Sequence, residues 1–292
     1  LRKSYFDLEH IGLLGGTMTL TVLAVPETPW LTTETHDPYI YGWREVARIN
    51  EDGIRYFHRL PLSLEDILHP QEDDVRMHSY DHEKKCHYLS NVIQRQIQHD
   101  PTAVMLADVR VAWAKAGVKP HTPDISVVFG VKRVQNWSTF YEAIEGTRPQ
   151  VVIEITSPST RHLDLVDKFD EYERVGLAYY VLIDNYDEKG HWRPRLLGYE
   201  LVANQYQSLR PNAQGWLWLE PLRLWLTVDE HGALSSYDEH GTLLLDYTEI
   251  SAKLEAEMKA RESAESRANE AETRAQELAA RLRQLEAQLR SQ

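Results

Sequence analysis

Val151-Val-Ile-Glu-Ile-Thr-Ser-Pro-Ser-Thr160 is the stretch on which the fold turns. Its first six residues are all β-branched except Glu154, and a Ser-Pro turn signal follows, so they read as a buried strand. Leu163 to Val175 then keeps helical spacing and stops at Gly176, and Tyr179 to Ile183 is a second apolar run ending at Asp184. Strand, helix and strand within about thirty residues make a βαβ crossover. The two strands are therefore expected to be parallel, with a right-handed connection.

Upstream, Ala103 to Ala107, Val109 to Ala114 and Ile125 to Phe129 have the composition of further strands. Asp81 to Gln98 reads as a helix because Lys85, Tyr88, Leu89, Val92, Ile93 and Ile97 keep mostly helical spacing, and Asp100-Pro101 ends it. A shorter helix is expected over Leu64 to Leu68. Residues 1–60 read as an irregular extension packing on the core, in which short strands are allowed, with a Tyr-Gly-Trp cluster at Tyr41 to Trp43. Downstream, Arg195 to Leu245 alternates in short runs separated by Gly and Asn, the pattern of an antiparallel meander.

Composition changes at residue 251. From there to Gln292 the chain has no Gly, Pro or aromatic residue, and Ala264, Ala268, Ala271, Ala275, Leu278, Leu282, Leu285 and Leu289 recur in steps of four and three. That is the seam of a coiled coil, which implies a homo-oligomer; a lone solvated helix is the alternative. The expected organisation is an extension over 1–60, an α/β domain with a mixed central sheet flanked by helices and a β-rich C-terminal part over 61–250, and a coiled-coil tail over 251–292.

The chain has 45 acidic and 32 basic residues and a net charge of -13. The tail holds eight of each sign, so the acidic excess lies in residues 1–250. This argues against a protein held on nucleic acid by bulk electrostatics, but not against an enzyme that brings a metal ion to a phosphate. A single cysteine, Cys86, excludes an intrachain disulfide and a cysteine zinc cluster, and suits a reducing cytoplasm. No run reaches the ~18 apolar residues of a membrane span, and Gly15 to Val25 is too short and lacks a basic flank.

Two carboxylates carry the chemistry. Pro123-Asp124 opens one strand and Glu154 lies inside the next, where an acid is costly to bury unless it is paired or binds a metal. A divalent cation would relieve the repulsion between two such acids on neighbouring strands. Lys168, on the crossover helix one turn from Asp164, borders the apolar face of Leu165, Phe169 and Tyr172 and could reach along the sheet toward both acids.

Pro-Asp, then Val-Val-Ile-Glu-Ile-Thr-Ser-Pro-Ser-Thr, then Asp164, Lys168, Tyr172, Gly176, Tyr180 and Asp184 resembles the bacterial Uma-type putative restriction endonuclease family of the PD-(D/E)XK nuclease superfamily. The resemblance is densest over Pro123 to Asp184. It implies a restriction-endonuclease-like fold and a metal-dependent DNA endonuclease, with Mg²⁺ or Mn²⁺ on Asp124, Glu154 and the backbone carbonyl of Ile155. The superfamily lysine two residues after the second acid is Thr156 here. Families of this type commonly move it to the following helix, where Lys168 stands. An additional acid is often drawn from the first helical region, and Glu72, Asp73 and Asp74 are candidates. The rival class is a non-catalytic DNA- or protein-binding module that keeps the fold and assembles through its tail.

The remaining motifs point to structure. His82 and His87 are spaced i,i+5, which does not suit a helical zinc pair, and His82 is expected at the surface, the alternative being that it faces the cleft, since it resembles a histidine common in the family. Gly12 to Gly16 lacks the Lys-Ser/Thr of a phosphate loop. Ser157 to Thr160 reads as a loop and helix cap. Trp216, Trp218 and Trp225 are expected to pack in the meander rather than stack on bases.

Overall fold

The computed structural model describes residues 37–188 and 191–290. The expectations for Gly12 to Gly16 and for Gly15 to Val25 lie outside the described residues. Two strands, β1 (Gly42–Ile49) and β2 (Arg55–Pro61), form a hairpin and lead into α1 (Leu64–Leu68), β3 (Val75–Arg76) and α2 (Tyr80–Ile97). Short strands follow: β4 (Val104–Ala107), β5 (Arg110–Ala112), β6 (Ile125–Val128) and β7 (Thr139–Tyr141). Next come α3 (Glu142–Glu145), β8 (Pro149–Ile155) and α4 (Lys168–Val175), with a wide π-type turn over Leu163–Asp167 leading into α4. The chain continues through β9 (Tyr179–Glu188), β10 (His191–Val202), β11 (Gln205–Ser208), β12 (Leu217–Leu219), β13 (Leu224–Val228) and β14 (Leu234–Asp238) to α5 (Tyr247–Arg290).

The central sheet is six-stranded, in the order β11-β10-β9-β8-β6-β4, and mixed. β8 and β9 pair in parallel, with Glu154 opposite Leu182 and Ile155 opposite Ile183, as the crossover reading requires. The other pairs in the sheet are antiparallel. A bulge at Val127/Val128 shifts the register between β6 and β8.

Period-two alternation on β8 assigns its side chains to two cores. Val151, Ile153 and Ile155 pack with Leu89, Val92 and Ile93 of α2 and with Leu217 to Leu226 of the last small sheet. Val152 packs with Tyr172, Val175, Tyr180 and Leu182 on the opposite side. The sheet is thus covered by α2 on one face and by α4 on the other. Both faces being apolar explains why β8 reads as a continuous β-branched run. Glu154, on the α4 face, has to find partners there.

Two features go beyond the sequence reading. The short strands allowed in the extension are a regular β1–β2 hairpin that also pairs with β3; its alternating residues are largely exposed, so no apolar pattern places it. β9 continues through Asp184 to Glu188, because pairing with β10 extends along Asn185 to Glu188 where apolar content has ended. No helix among the described residues is long and apolar enough to cross a membrane.

Candidate active site

Neighbouring strands bring the two acids together. Ile125 lies opposite Ile153, so Asp124, at the mouth of β6, sits beside Glu154. The backbone ties them: the Asp124 N–H donates to Glu154 Oε2 at 3.2 Å, and the Ile155 N–H donates to Asp124 Oδ2 at 2.8 Å. Asp124 is 5% exposed and Glu154 1%.

Lys168 reaches Glu154 from α4, on the face of the sheet to which Glu154 points. Its Nζ lies 3.0 Å from Glu154 Oε1 and 2.7 Å from Asp164 Oδ1. The Asp164–Lys168 pair has the i,i+4 spacing of a surface pair, yet both residues are buried. One turn further, the Tyr172 hydroxyl donates to Glu154 Oε1 at 2.9 Å. Asp164 lies in the π-type turn, a feature that is frequent at functional sites. Thr156, where a superfamily lysine would stand, instead donates its hydroxyl to Asp184 at 3.0 Å. Asp184 is fully buried and also receives Arg161 (2.6 and 2.9 Å) and Arg195 (2.6 Å).

Lys168 thus pairs with Glu154 and Asp164, while Asp124 feels its charge without contact. Burial and the neighbouring Glu154 charge push the Asp124 carboxyl well above the ordinary aspartate value. Burial raises Asp164 to about 6 even though Lys168 and its hydrogen bond pull the other way. Burial also works to raise Glu154, but Lys168, Tyr172 and the Asp124 N–H outweigh it and hold the group below its ordinary value. Lys168, disfavoured by burial yet surrounded by Asp164, Glu154 and Asp124, titrates above an ordinary lysine.

The groups open onto a cleft of about 200 Å³ lined by Arg76, His78, His82, Asp124, Glu154 and Lys168, among others. Sequence reasoning expected His82 at the surface, with a place in the cleft as the alternative, and singled out neither His78 nor Arg76. His82 is buried near the start of α2, with Nε2 3.5 Å from Asp124 Oδ1 and no hydrogen-bond partner. His78 stacks on it at 4.2 Å. The usable signal was the spacing of four between His78 and His82; His87, the residue compared with His82 instead, is exposed on α2. Arg76 pairs with Asp108 and donates to the Thr122 carbonyl at 3.1 Å, fixing the loop that carries Asp124.

These groups fit a divalent cation. Asp124, His78 and His82 each offer one donor atom, all within 4.8 Å of one another, and Glu154 lies beside Asp124, which makes a set of oxygen and nitrogen donors. A second cluster, His69, His121 and Glu171, does not fit as well. The Trp113 indole N–H donates to His121 Nδ1 at 2.8 Å, so the neutral ring carries its proton on Nε2, 2.7 Å from Glu171 Oε2, and has no lone pair left for a metal.

The candidate additional acids lie elsewhere. Glu72 accepts from the Ser138 hydroxyl at 2.6 Å and Asp74 pairs with Arg44 at 2.6 Å; Asp73 is exposed and does not line the cleft. Asp164 is the third carboxylate beside Lys168. Ser157 closes the turn before the crossover helix, accepting from the Thr160 N–H at 3.2 Å. The three meander tryptophans pack with one another and with Tyr237, on which Trp216 stacks at 4.0 Å.

A family model described as "Uma2: Putative restriction endonuclease" matches residues 74–229. Among solved structures, one described as a putative nuclease belonging to DUF820 from Anabaena variabilis is similar, with 18% identity and a TM-score of 0.33 over 57% of this chain and 79% of that one. No curated protein matches the sequence.

Proposed function

The chain belongs to the Uma2 putative restriction endonuclease family, and we propose that it is a metal-dependent DNA endonuclease that hydrolyses phosphodiester bonds. The observation that carries this reading is the convergence of Asp124, Glu154 and Lys168 in one open cleft. Asp124 and Glu154, with the Ile155 carbonyl, would hold Mg²⁺ or Mn²⁺, and His82 offers a nitrogen beside Asp124. When bound, such an ion supplies a Lewis acid for the phosphoryl group and a more acidic water.

The chain's own groups do the rest. Lys168, kept cationic by its carboxylates, orients the attacking water and offsets charge developing on the phosphate. Asp164 and Tyr172 hold Lys168 and Glu154 in position. We assign the nuclease domain to residues 61–250, the extension to 1–60 and an assembling coiled coil to 251–292, and place the protein in the cytoplasm with its DNA.

The test is cleavage of supercoiled plasmid by the purified full-length chain. Mg²⁺ or Mn²⁺ should support it, and Ca²⁺ should bind without doing so. Asp124→Ala and Glu154→Ala should each abolish cleavage; loss of Asp124 relieves buried repulsion and should leave thermal unfolding similar or improved, whereas loss of Glu154 strips Lys168 and Tyr172 of their shared acceptor and should lower it. A double variant that cuts at the wild-type rate would remove these residues from the reaction. The net charge of -13 favours the rival reading of a non-catalytic binding module. That reading, in its protein-binding form, predicts neither cleavage under any of these ions nor DNA retention in a gel shift.

A further inference from the structure

α5 runs 44 residues, and every residue from 252 to 288 is exposed. Leu278, Leu282 and Leu285 are 68%, 59% and 53% exposed on a single stripe. A long helix showing a narrow leucine stripe to water is an incomplete structure, since helices of this kind are stabilised by burying that face. The question is what covers it, and the charges beside the stripe answer it.

With Ala268, Ala275, Leu282 and Leu289 at the a positions and Ala264, Ala271, Leu278 and Leu285 at d, the flanking positions sort by sign. Arg267, Arg274 and Arg281 occupy g, and Glu265, Glu272 and Glu286 occupy e, with Ala279 the one neutral e residue among them. In a parallel pair each g residue faces the partner's next e residue. Arg267 then meets the partner's Glu272 and Arg281 meets the partner's Glu286, on both sides of the seam. In an antiparallel pair g faces g and e faces e, so arginines meet arginines and glutamates meet glutamates in every register. Charged e and g positions also leave only the a/d stripe to bury, which suits two strands rather than four.

We propose that α5 docks against α5 of a second copy of this chain as a parallel, in-register, two-stranded coiled coil. This rests on the reading of residues 251–292 as an assembly segment and is independent of the nuclease chemistry. A parallel seam places the two copies of residue 247 at the same end, so both nuclease domains are tethered side by side rather than at opposite ends of the coil.

Sedimentation of the full-length chain at micromolar concentration should find a dimer. The double change Arg267→Glu with Arg281→Glu should weaken it at least tenfold. Adding Glu272→Arg and Glu286→Arg to the same chain restores opposite charges across a parallel, in-register seam, so it should restore the dimer; an antiparallel pair centred on residues 271 and 275 would stay repelled. Independently, Ala271→Cys at a d position should oxidise to a covalent dimer and Ala280→Cys on the outer face should not; Cys86 is buried in the core and takes no part. A monomeric chain, a dimer indifferent to the arginine changes, or a quadruple variant that remains dissociated overturns the proposal. A parallel dimer that cuts no DNA leaves it standing, because none of these readouts involves cleavage.

Discussion

Lys168 shows how one residue can hold a charged site together. Its ammonium lies among Glu154, Asp164 and Asp124 in surroundings from which water is largely excluded. Breaking a buried ion pair by removing one partner usually costs about 3–5 kcal/mol, because the other charge is left uncompensated. Lys168→Met should therefore lower stability in urea unfolding at pH 7 by roughly that amount. It should abolish cleavage while calorimetry still detects metal binding, since an ammonium is not a ligand. Full activity in this variant would return Lys168 to a structural role.

Asp164 gives a prediction with a sign. Its carboxyl titrates at about 6 in the folded chain against an ordinary 3.8, so between those values the folded state keeps a proton that the unfolded state has lost. Metal-free protein should thus lose stability as pH rises from about 4 to 6, by up to about 3 kcal/mol for this group. Asp164→Asn should flatten that loss in thermal melts across the same range. A wild-type melting curve that climbs steadily from pH 4 to 6 with the variant parallel to it would contradict the assignment.

At the scale of elements, Asp184 fastens three of them. It sits on β9, receives Thr156 from the end of β8, Arg161 from the lead-in to α4 and Arg195 from β10. Burial opposes its ionisation, but the two guanidiniums and the Thr156 hydroxyl keep it below the ordinary aspartate value. Asp184→Ala leaves Arg161 and Arg195 without their carboxylate and frees the segment that precedes Lys168. The expected cost is about 3 kcal/mol in chemical unfolding, discounted because both arginines are partly exposed. Cleavage should fall through misplacement of Lys168 rather than through loss of metal affinity, a split that metal titration against rate can read. The elements joined here were legible in the sequence, since β8, the crossover helix and the start of β9 carry strong apolar periodicity. The clamp was not, because nothing in local spacing links Asp184 to residues 23 and 28 positions before it.

For the whole molecule, the tail and the catalytic domain should be separable. Residues 252–288 contribute no buried side chain, so truncation after Leu245 should leave the unfolding temperature of the core nearly unchanged. If each copy supplies one site and each site cuts one strand, the truncated chain should nick plasmid and yield few linear products. Linear product formed directly by the truncated chain at the full-length rate would dissociate assembly from double-strand cutting.

The sequence by itself determined the crossover and the mixed sheet, and singled out Asp124, Glu154 and Lys168 as candidates whose joint role only the family resemblance implies. It could do so because a βαβ unit leaves periodicity over a continuous stretch, and because an acid amid β-branched residues is conspicuous within a few positions of its neighbours. Only the tertiary structure brought Arg76, His78 and His82 to the same cleft, turned Thr156 away to Asp184, and made Asp164 the third acid in place of Glu72, Asp73 or Asp74. These placements depend on which end of the sheet α2 starts from and on a π-type turn before α4. Side-chain convergence across elements distant in sequence leaves no period to read, since it arises when both faces of one sheet are covered and their polar residues must find partners in a common space.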